Sequence, residues 1–105
     1  MKARMTYANS DFELTLTAAA GDDPSLMAEL RAGFMQSLTG QVELLRRSRC
    51  DANWRITAER LRGLGASFHA GELITLAQEA IDDAPGDPTV LVKLGTLTSR
   101  FSVTN

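Results

Sequence analysis

The fold is decided by residues 21–45, which read GDDPSLMAELRAGFMQSLTGQVELL. Aspartates directly before Pro24 are typical of a helix start, because a carboxylate caps free backbone amides and proline tolerates the first helical position. Apolar residues then recur every three or four positions, at Leu26, Leu30, Phe34, Leu38, Val42 and Leu45. This spacing predicts an amphipathic helix of about six turns that buries one stripe of side chains.

Three later segments repeat this helical spacing, and a short one precedes it. Residues 12–20 predict a short first helix that ends at Gly21, since glycine readily adopts the left-handed conformation of a helix end. Asp51 is the expected N-cap of the third helix, and the pair Asp87 and Pro88 predicts the start of the fifth. The inward positions are expected to be Trp54, Ala58, Leu61, Gly65 and Phe68 in the third helix, Leu73, Leu76, Ala77, Ala80 and Ile81 in the fourth, and Val90, Leu91, Leu94, Leu97 and Phe101 in the fifth.

These segments predict an all-α fold. β-branched residues are scattered rather than alternating, so no strand is expected. Four long helices with short connections favour antiparallel neighbours, which predicts an up-and-down antiparallel four-helix bundle with a short extra N-terminal helix across one end. A chain of 105 residues suits one domain, expected over residues 11–105 and preceded by a flexible N-terminal tail, residues 1–10.

Composition narrows the class of function. The net charge of −2 argues against a nucleic-acid-binding protein, and the six arginines between Arg46 and Arg62 fall on several helix faces without interleaved aromatics. Cys50 is the sole cysteine, which excludes an intrachain disulfide and a four-cysteine metal site. No apolar run is long enough for a membrane span, and no secretory signal is recognisable. We therefore expect a cytoplasmic protein without metal, cofactor, membrane or small-molecule substrate.

Residues 58–65, AERLRGLG, carry the most specific motif in the chain. Ala58, Leu61, Arg62 and Gly63, followed by Ala70 and Leu73, resemble the pattern around the phosphorylated histidine of histidine-containing phosphotransfer (HPt) domains in bacterial two-component phosphorelays. The stretch GDDPSLMAELRAGF also resembles the start of that family's first long helix. The resemblance extends from Gly21 to Phe101, and it implies a four-helix bundle that docks a response-regulator receiver domain or a histidine kinase.

Three departures from the family pattern decide the expected chemistry. Glu59 stands where the phosphorylated histidine would be, Arg62 replaces a lysine, and His69 replaces a glycine. A glutamate has no imidazole nitrogen to take and return a phosphoryl group, and its negative charge repels one. We therefore predict a degenerate HPt-like domain that binds a partner without phosphotransfer or other enzymatic activity.

The expected partner-docking surface lies around the motif. Helical spacing places Arg55, Glu59, Arg62, Gly63 and Ala66 on one face, and antiparallel pairing predicts that Ser37 and Gln41 border it. The glycine at position 63 is about 1 kcal/mol less favourable than alanine inside a helix, which predicts the close approach of another backbone or of a partner. The alternative interpretation is a solvated face on which Glu59 forms ion pairs with neighbouring arginines.

The sequence is also compatible with two other functions. One is an active phosphotransfer protein that uses His69, although this histidine falls at a predicted helix break and is more typical of a loop or capping residue. The other is a helical scaffold or oligomerisation module unrelated to phosphorelays. Cys50 is interpreted as an inert thiol.

Overall fold

A computed structural model of the chain describes the backbone of residues 2–103 and the side chains of residues 11–101. The described residues form helices and no strand, which confirms the all-α prediction. In chain order the helices are α1 (Lys2–Ala20), α2 (Pro24–Arg46), α3 (Asp51–Ser67), α4 (Gly71–Asp82) and α5 (Pro88–Val103). Over the same residues, no helix combines the length and the apolar character that crossing a membrane requires.

Helices α2 and α5 begin at the two aspartate–proline pairs, as predicted. An Asp23 carboxylate oxygen accepts hydrogen bonds from the backbone nitrogens of Ser25 and Leu26, at 2.9 and 3.3 Å. The Asp87 carboxylate accepts one from the backbone nitrogen of Thr89 at 2.9 Å. Both caps satisfy amides of the first helical turn, which have no partner within the helix.

The predicted cap of α3 was wrong by one residue. Cys50 is the N-cap, in an extended conformation, and its side chain caps no amide. Asp51 is instead the first helical residue, where its carboxylate stabilises the helix through the positive end of the dipole.

Helix α1 is longer than the predicted helix over residues 12–20. It begins at Lys2, and its backbone includes most of the segment expected to be a tail. No proline or glycine occurs before Gly21, so the sequence contains no residue that interrupts the helix earlier. Gly21 ends it with φ of +66°. The flexibility of residues 1–10 stays a prediction.

The core forms where the inward stripes of the helices meet. Helix α2 contacts α1, α3 and α5, while α4 contacts α1, α3 and α5. Among the predicted inward residues, the following are buried: Phe34, Leu38, Val42, Leu45, Trp54, Ala58, Leu61, Gly65, Leu73, Leu76, Ala77, Ala80, Val90, Leu94, Leu97 and Phe101. Leu26 was expected in the stripe of α2 but lies near the start of the helix and is 36% exposed.

Helix α1 is held by an aromatic cluster and an ion pair. All four phenylalanines of the chain meet, with ring centroids of Phe12 and Phe34 at 4.6 Å, Phe12 and Phe101 at 5.0 Å, and Phe34 and Phe68 at 5.0 Å. Arg31 of α2 donates two hydrogen bonds to the Glu13 carboxylate, at 2.7 and 2.8 Å. Bidentate geometry and partial burial make this pair stronger than a solvated one.

The buried Trp54 sets the position of α3 against α4. Its indole nitrogen donates to the backbone oxygen of Ala80 at 2.7 Å, so the start of α3 lies beside the end of α4. At the other end of α3, a Cβ atom added to Gly65 would lie 2.9 Å from Cγ1 and 3.1 Å from the backbone nitrogen of Ile74. The two helices therefore run in opposite directions and approach closely at Gly65.

Candidate functional site

The predicted docking residues of α3 share its outer face. Burial of Trp54, Ala58, Leu61 and Gly65 fixes the rotation of the helix, so residues on the opposite side face solvent. We call this side the docking face. It consists of Arg55, Glu59, Gly63 and Ala66, which are exposed, and Arg62, which is half-buried.

The carboxylate of Glu59 has no ion-pair partner among the described residues. Arg62 lies one turn away but donates instead to the side-chain oxygen of Gln78 on α4. The Gln78 side-chain nitrogen in turn donates to an Asp82 carboxylate oxygen at 3.2 Å, which orients the amide. The ion pairs of the alternative interpretation are therefore not formed among the described residues, although Glu59 is exposed as that interpretation also requires.

The backbone at Gly63 is open on its outer side. A Cβ atom added there would meet no heavy atom within 4 Å, whereas one added to Gly65 would clash. The explanation that another backbone of the same chain approaches Gly63 is therefore wrong, since that close approach occurs two residues later. The approach of a partner, which the sequence also suggested, is compatible with this geometry, as it is at Gly33, Gly40 and Gly95.

The predicted border on α2 is less uniform. Ser37 is exposed, while Gln41 is half-buried and its side-chain oxygen is buried without a hydrogen-bond partner among the described residues. Helices α2 and α3 are in contact, as antiparallel pairing through residues 47–50 requires.

Two exposed apolar side chains near this border were missed by the sequence reasoning. Leu44 on α2 is 41% exposed and Ile56 on α3 is 46% exposed. Each lies six residues from Cys50, so the predicted antiparallel pairing of α2 and α3 would put them at the same level of the two helices. Their exposure could have been predicted from the helical spacing, because both residues fall outside the inward stripes of their helices. They add apolar surface next to the docking face.

His69 lies in the turn between α3 and α4, as its loop or capping interpretation requires. The backbone nitrogen of Ala70 donates to the Gly65 oxygen at 2.8 Å and that of His69 to the Ala66 oxygen at 3.3 Å, which is the Schellman arrangement of a helix end. His69 occupies its left-handed position with φ of +55°. Glycine is usual at this position because it has no Cβ atom.

The imidazole of His69 contacts α1. Its Nδ1 atom lies 3.0 Å from the Thr15 hydroxyl oxygen, and that hydroxyl also donates to the Asp11 backbone oxygen at 2.8 Å. Since the hydroxyl has one proton, the ring nitrogen is the donor in this arrangement. Ten residues separate His69 from Glu59, or about 15 Å along a helix, so the ring belongs to the contact between α1 and the α3–α4 turn rather than to the docking face.

The left-handed position gives a stability test for His69. We expect His69→Gly to be about 1 kcal/mol more stable than His69→Ala, because both variants lose the Thr15 contact but glycine alone relieves the backbone strain. Urea denaturation followed by circular dichroism measures the difference. Equal midpoints for the two variants would contradict a strained backbone at this position.

No protein-family model matches the sequence, and neither the curated proteins nor the solved structures give a match. The assignment of function therefore depends on the chemistry of the docking face and on the motif that surrounds it.

Proposed function

We propose that this protein is a non-catalytic HPt-like interaction domain of two-component signalling that docks a response-regulator receiver or a histidine kinase without accepting phosphate. In this proposal α2 to α5 form the up-and-down bundle and α1 crosses one end. The proposed setting is the bacterial cytoplasm. The observation that carries the proposal is the combination, on one exposed face, of Glu59, which has no ion-pair partner among the described residues, and Gly63, whose outer side no atom of the described chain covers.

The composition of the docking face supports binding rather than group transfer. Glu59 offers an exposed carboxylate without an internal counter-ion, and a carboxylate cannot perform the nucleophilic and leaving-group roles of an imidazole nitrogen. Arg55 offers an exposed guanidinium beside it. A partner can therefore satisfy one charge of each sign at this face, and complementary charges favour one docking orientation.

The exposed apolar residues beside the docking face supply the hydrophobic part of a binding surface. Leu44 and Ile56 are each at least two-fifths exposed and belong to adjacent helices. Burial of such side chains contributes about 25 cal/mol per Å² of apolar area, which is the main favourable term in protein association. The glycine allows a partner backbone to approach α3 closely.

The direct test is an NMR titration of the isotope-labelled protein with receiver domains and histidine kinases from the same organism. Each receiver is added with and without a mimic of its phosphoryl group. We expect amide shifts to cluster at Arg55, Glu59, Arg62 and Gly63. The absence of shifts with every receiver and kinase, or shifts confined to other helices, would overturn the proposal.

A pair of glycine variants isolates the contribution of the docking face. We expect Gly63→Gln to weaken partner binding at least tenfold, or by about 1.4 kcal/mol, because the new side chain occupies the space that the partner backbone needs. Gly95→Gln on α5 is the matched control, since a Cβ atom added there also meets nothing within 4 Å. Both changes favour the helix, so both variants stay folded. Equal affinities of the two variants would contradict docking at Gly63.

Phosphate transfer distinguishes the proposal from an active protein that uses His69. Incubation with a phosphorylated receiver is expected to leave no acid-labile phosphate on this chain, and His69→Gln is expected to give the same result. Phosphate that appears on the wild type and disappears in the variant would establish the alternative. A helical scaffold predicts instead that substitutions across the docking face leave every interaction unchanged.

A further inference from the structure

Two connections of opposite charge lie at one end of the molecule. The basic connection, residues 46–49, contains three arginines and no acid, while the acidic connection, residues 82–87, contains three aspartates and no base. The hydrogen bond from Trp54 to Ala80 sets the start of α3 beside the end of α4, so the two connections are neighbours. We call the surface formed by both the polar end.

The charges of the basic connection are available to a partner. Arg49 is exposed and forms no ion pair among the described residues. Arg46 and Arg47 share the single carboxylate of Glu43 at 3.8 and 4.0 Å. Loose pairs between exposed side chains contribute little to stability, and Asp51 at the start of α3 offsets part of the remaining charge. A net positive charge remains on this half.

Asp82 and Asp83 of the acidic connection are unfavourable within one chain, whereas Asp87 caps the start of α5. Asp82 and Asp83 lie at the end of α4, where the negative end of the helix dipole disfavours carboxylates, and the last turn of α4 contains no basic residue. Partial burial and the nearby Asp87 carboxylate raise the pKa of Asp83 above its ordinary value. Lys93 is occupied by Glu79 at 3.0 Å. An external cation would therefore stabilise this half.

We propose that the polar end is a homodimer interface, on which a second copy of this chain docks with its basic connection against the acidic connection of the first. A two-fold axis that lies in the interface, along the boundary between the two halves, places the basic half of each copy against the acidic half of the other. A symmetric interface requires this arrangement. A second copy is the indicated partner because a single surface carries both members of the complementary pair.

The dimensions of the molecule set the expected strength of this dimer. The two shorter principal extents are 30 and 19 Å, so an end surface is smaller than the roughly 800 Å² per partner of a standard stable interface. The dimer is therefore weak and depends on exposed charges, whose attraction is screened within about 10 Å at 0.1 M salt. The docking face of α3 is not needed for this contact, so the two proposals can fail separately.

Charge reversal tests the proposal with the full chain. One variant combines Arg47→Glu with Arg49→Glu, and the other combines Asp82→Lys with Asp83→Lys. Lysines at the end of α4 are favoured by the helix dipole, and three of the four positions are exposed with Asp83 half-buried, so both variants keep their helices in circular dichroism. Sedimentation equilibrium measures association of each variant alone and of their mixture.

We expect the wild type to dimerise in about 20 mM salt and to associate at least tenfold more weakly in about 500 mM salt. Each variant alone is expected to stay monomeric, because like charges then face each other, while the mixture forms a one-to-one heterodimer. A monomeric wild type at low salt would overturn the proposal. So would salt-independent association, association of both separate variants, or a mixture that stays monomeric.

Discussion

Trp54→Ala is expected to lower the free energy of unfolding by about 3–5 kcal/mol, the largest effect that we predict for a single substitution in this chain. The indole is 2% exposed and fills the space between the start of α3 and the end of α4. Its removal leaves a cavity and also leaves the Ala80 backbone oxygen without its donor. Small domains have free energies of unfolding of about 5–15 kcal/mol. Partial unfolding of the Trp54→Ala variant at ambient temperature would therefore also agree with this prediction.

Trp54→Phe separates the hydrogen bond from the packing. A phenyl ring keeps much of the apolar contact but cannot donate to Ala80, so we expect a loss of about 1–3 kcal/mol. Urea denaturation followed by circular dichroism is the appropriate measurement, because both substitutions remove the only tryptophan. A loss below about 1 kcal/mol for the alanine variant would contradict a well-packed site.

Gly65→Ala and Gly63→Ala are expected to change stability in opposite directions although the residues are two positions apart in α3. A Cβ atom at position 65 would meet Ile74 at 2.9 Å and the Ala70 backbone oxygen at 3.3 Å. Overpacking typically costs about 1–3 kcal/mol, and the backbone atoms of Ile74 and Ala70 cannot rotate aside, so we expect this cost to outweigh the gain of about 1 kcal/mol from helix propensity. At position 63 the same propensity gain is unopposed, because the added atom meets nothing within 4 Å.

The two midpoints of urea denaturation should therefore lie on either side of the wild-type value, and the free energies of unfolding of the two variants should differ by about 1–3 kcal/mol. Both residues lie in α3, although Gly65 is in its last turn, so part of the propensity gain is common to the two variants. A gain of stability at position 65 would show that Ile74 moves aside without cost. A loss at position 63 would show that its outer side is not open.

The parts of the structure that sequence predicted are those that depend on short spacings. The starts of α2 and α5 follow from aspartate–proline pairs, and the buried stripe of α3 follows from the helical period. The start of α1 at Lys2 was missed because no cap or breaker marks it, so only packing and propensity decide how far the helix extends.

The candidate site shows what helical spacing could not predict. Spacing placed Arg55, Glu59 and Gly63 on one exposed face, but it gave no means to tell which glycine of α3 meets another helix. It also offered Arg62 as an ion-pair partner of Glu59 in the alternative interpretation, whereas Gln78 of another helix binds it. Both answers depend on how α3 and α4 are rotated against each other, which is a property of the whole core.

The contacts between helices also have a kinetic consequence. Each helix packs on its successor in the chain, and α2 with α5 and α1 with α4 are the contacts between distant segments. Closing a short loop loses less chain entropy than closing a long one, and folds rich in local contacts reach the native state quickly. We therefore expect α3 to acquire its neighbours early, during synthesis or refolding, and the contacts of α1 with α4 and of α2 with α5 to form last. The surface that carries Glu59 would then be organised before the chain has closed on itself.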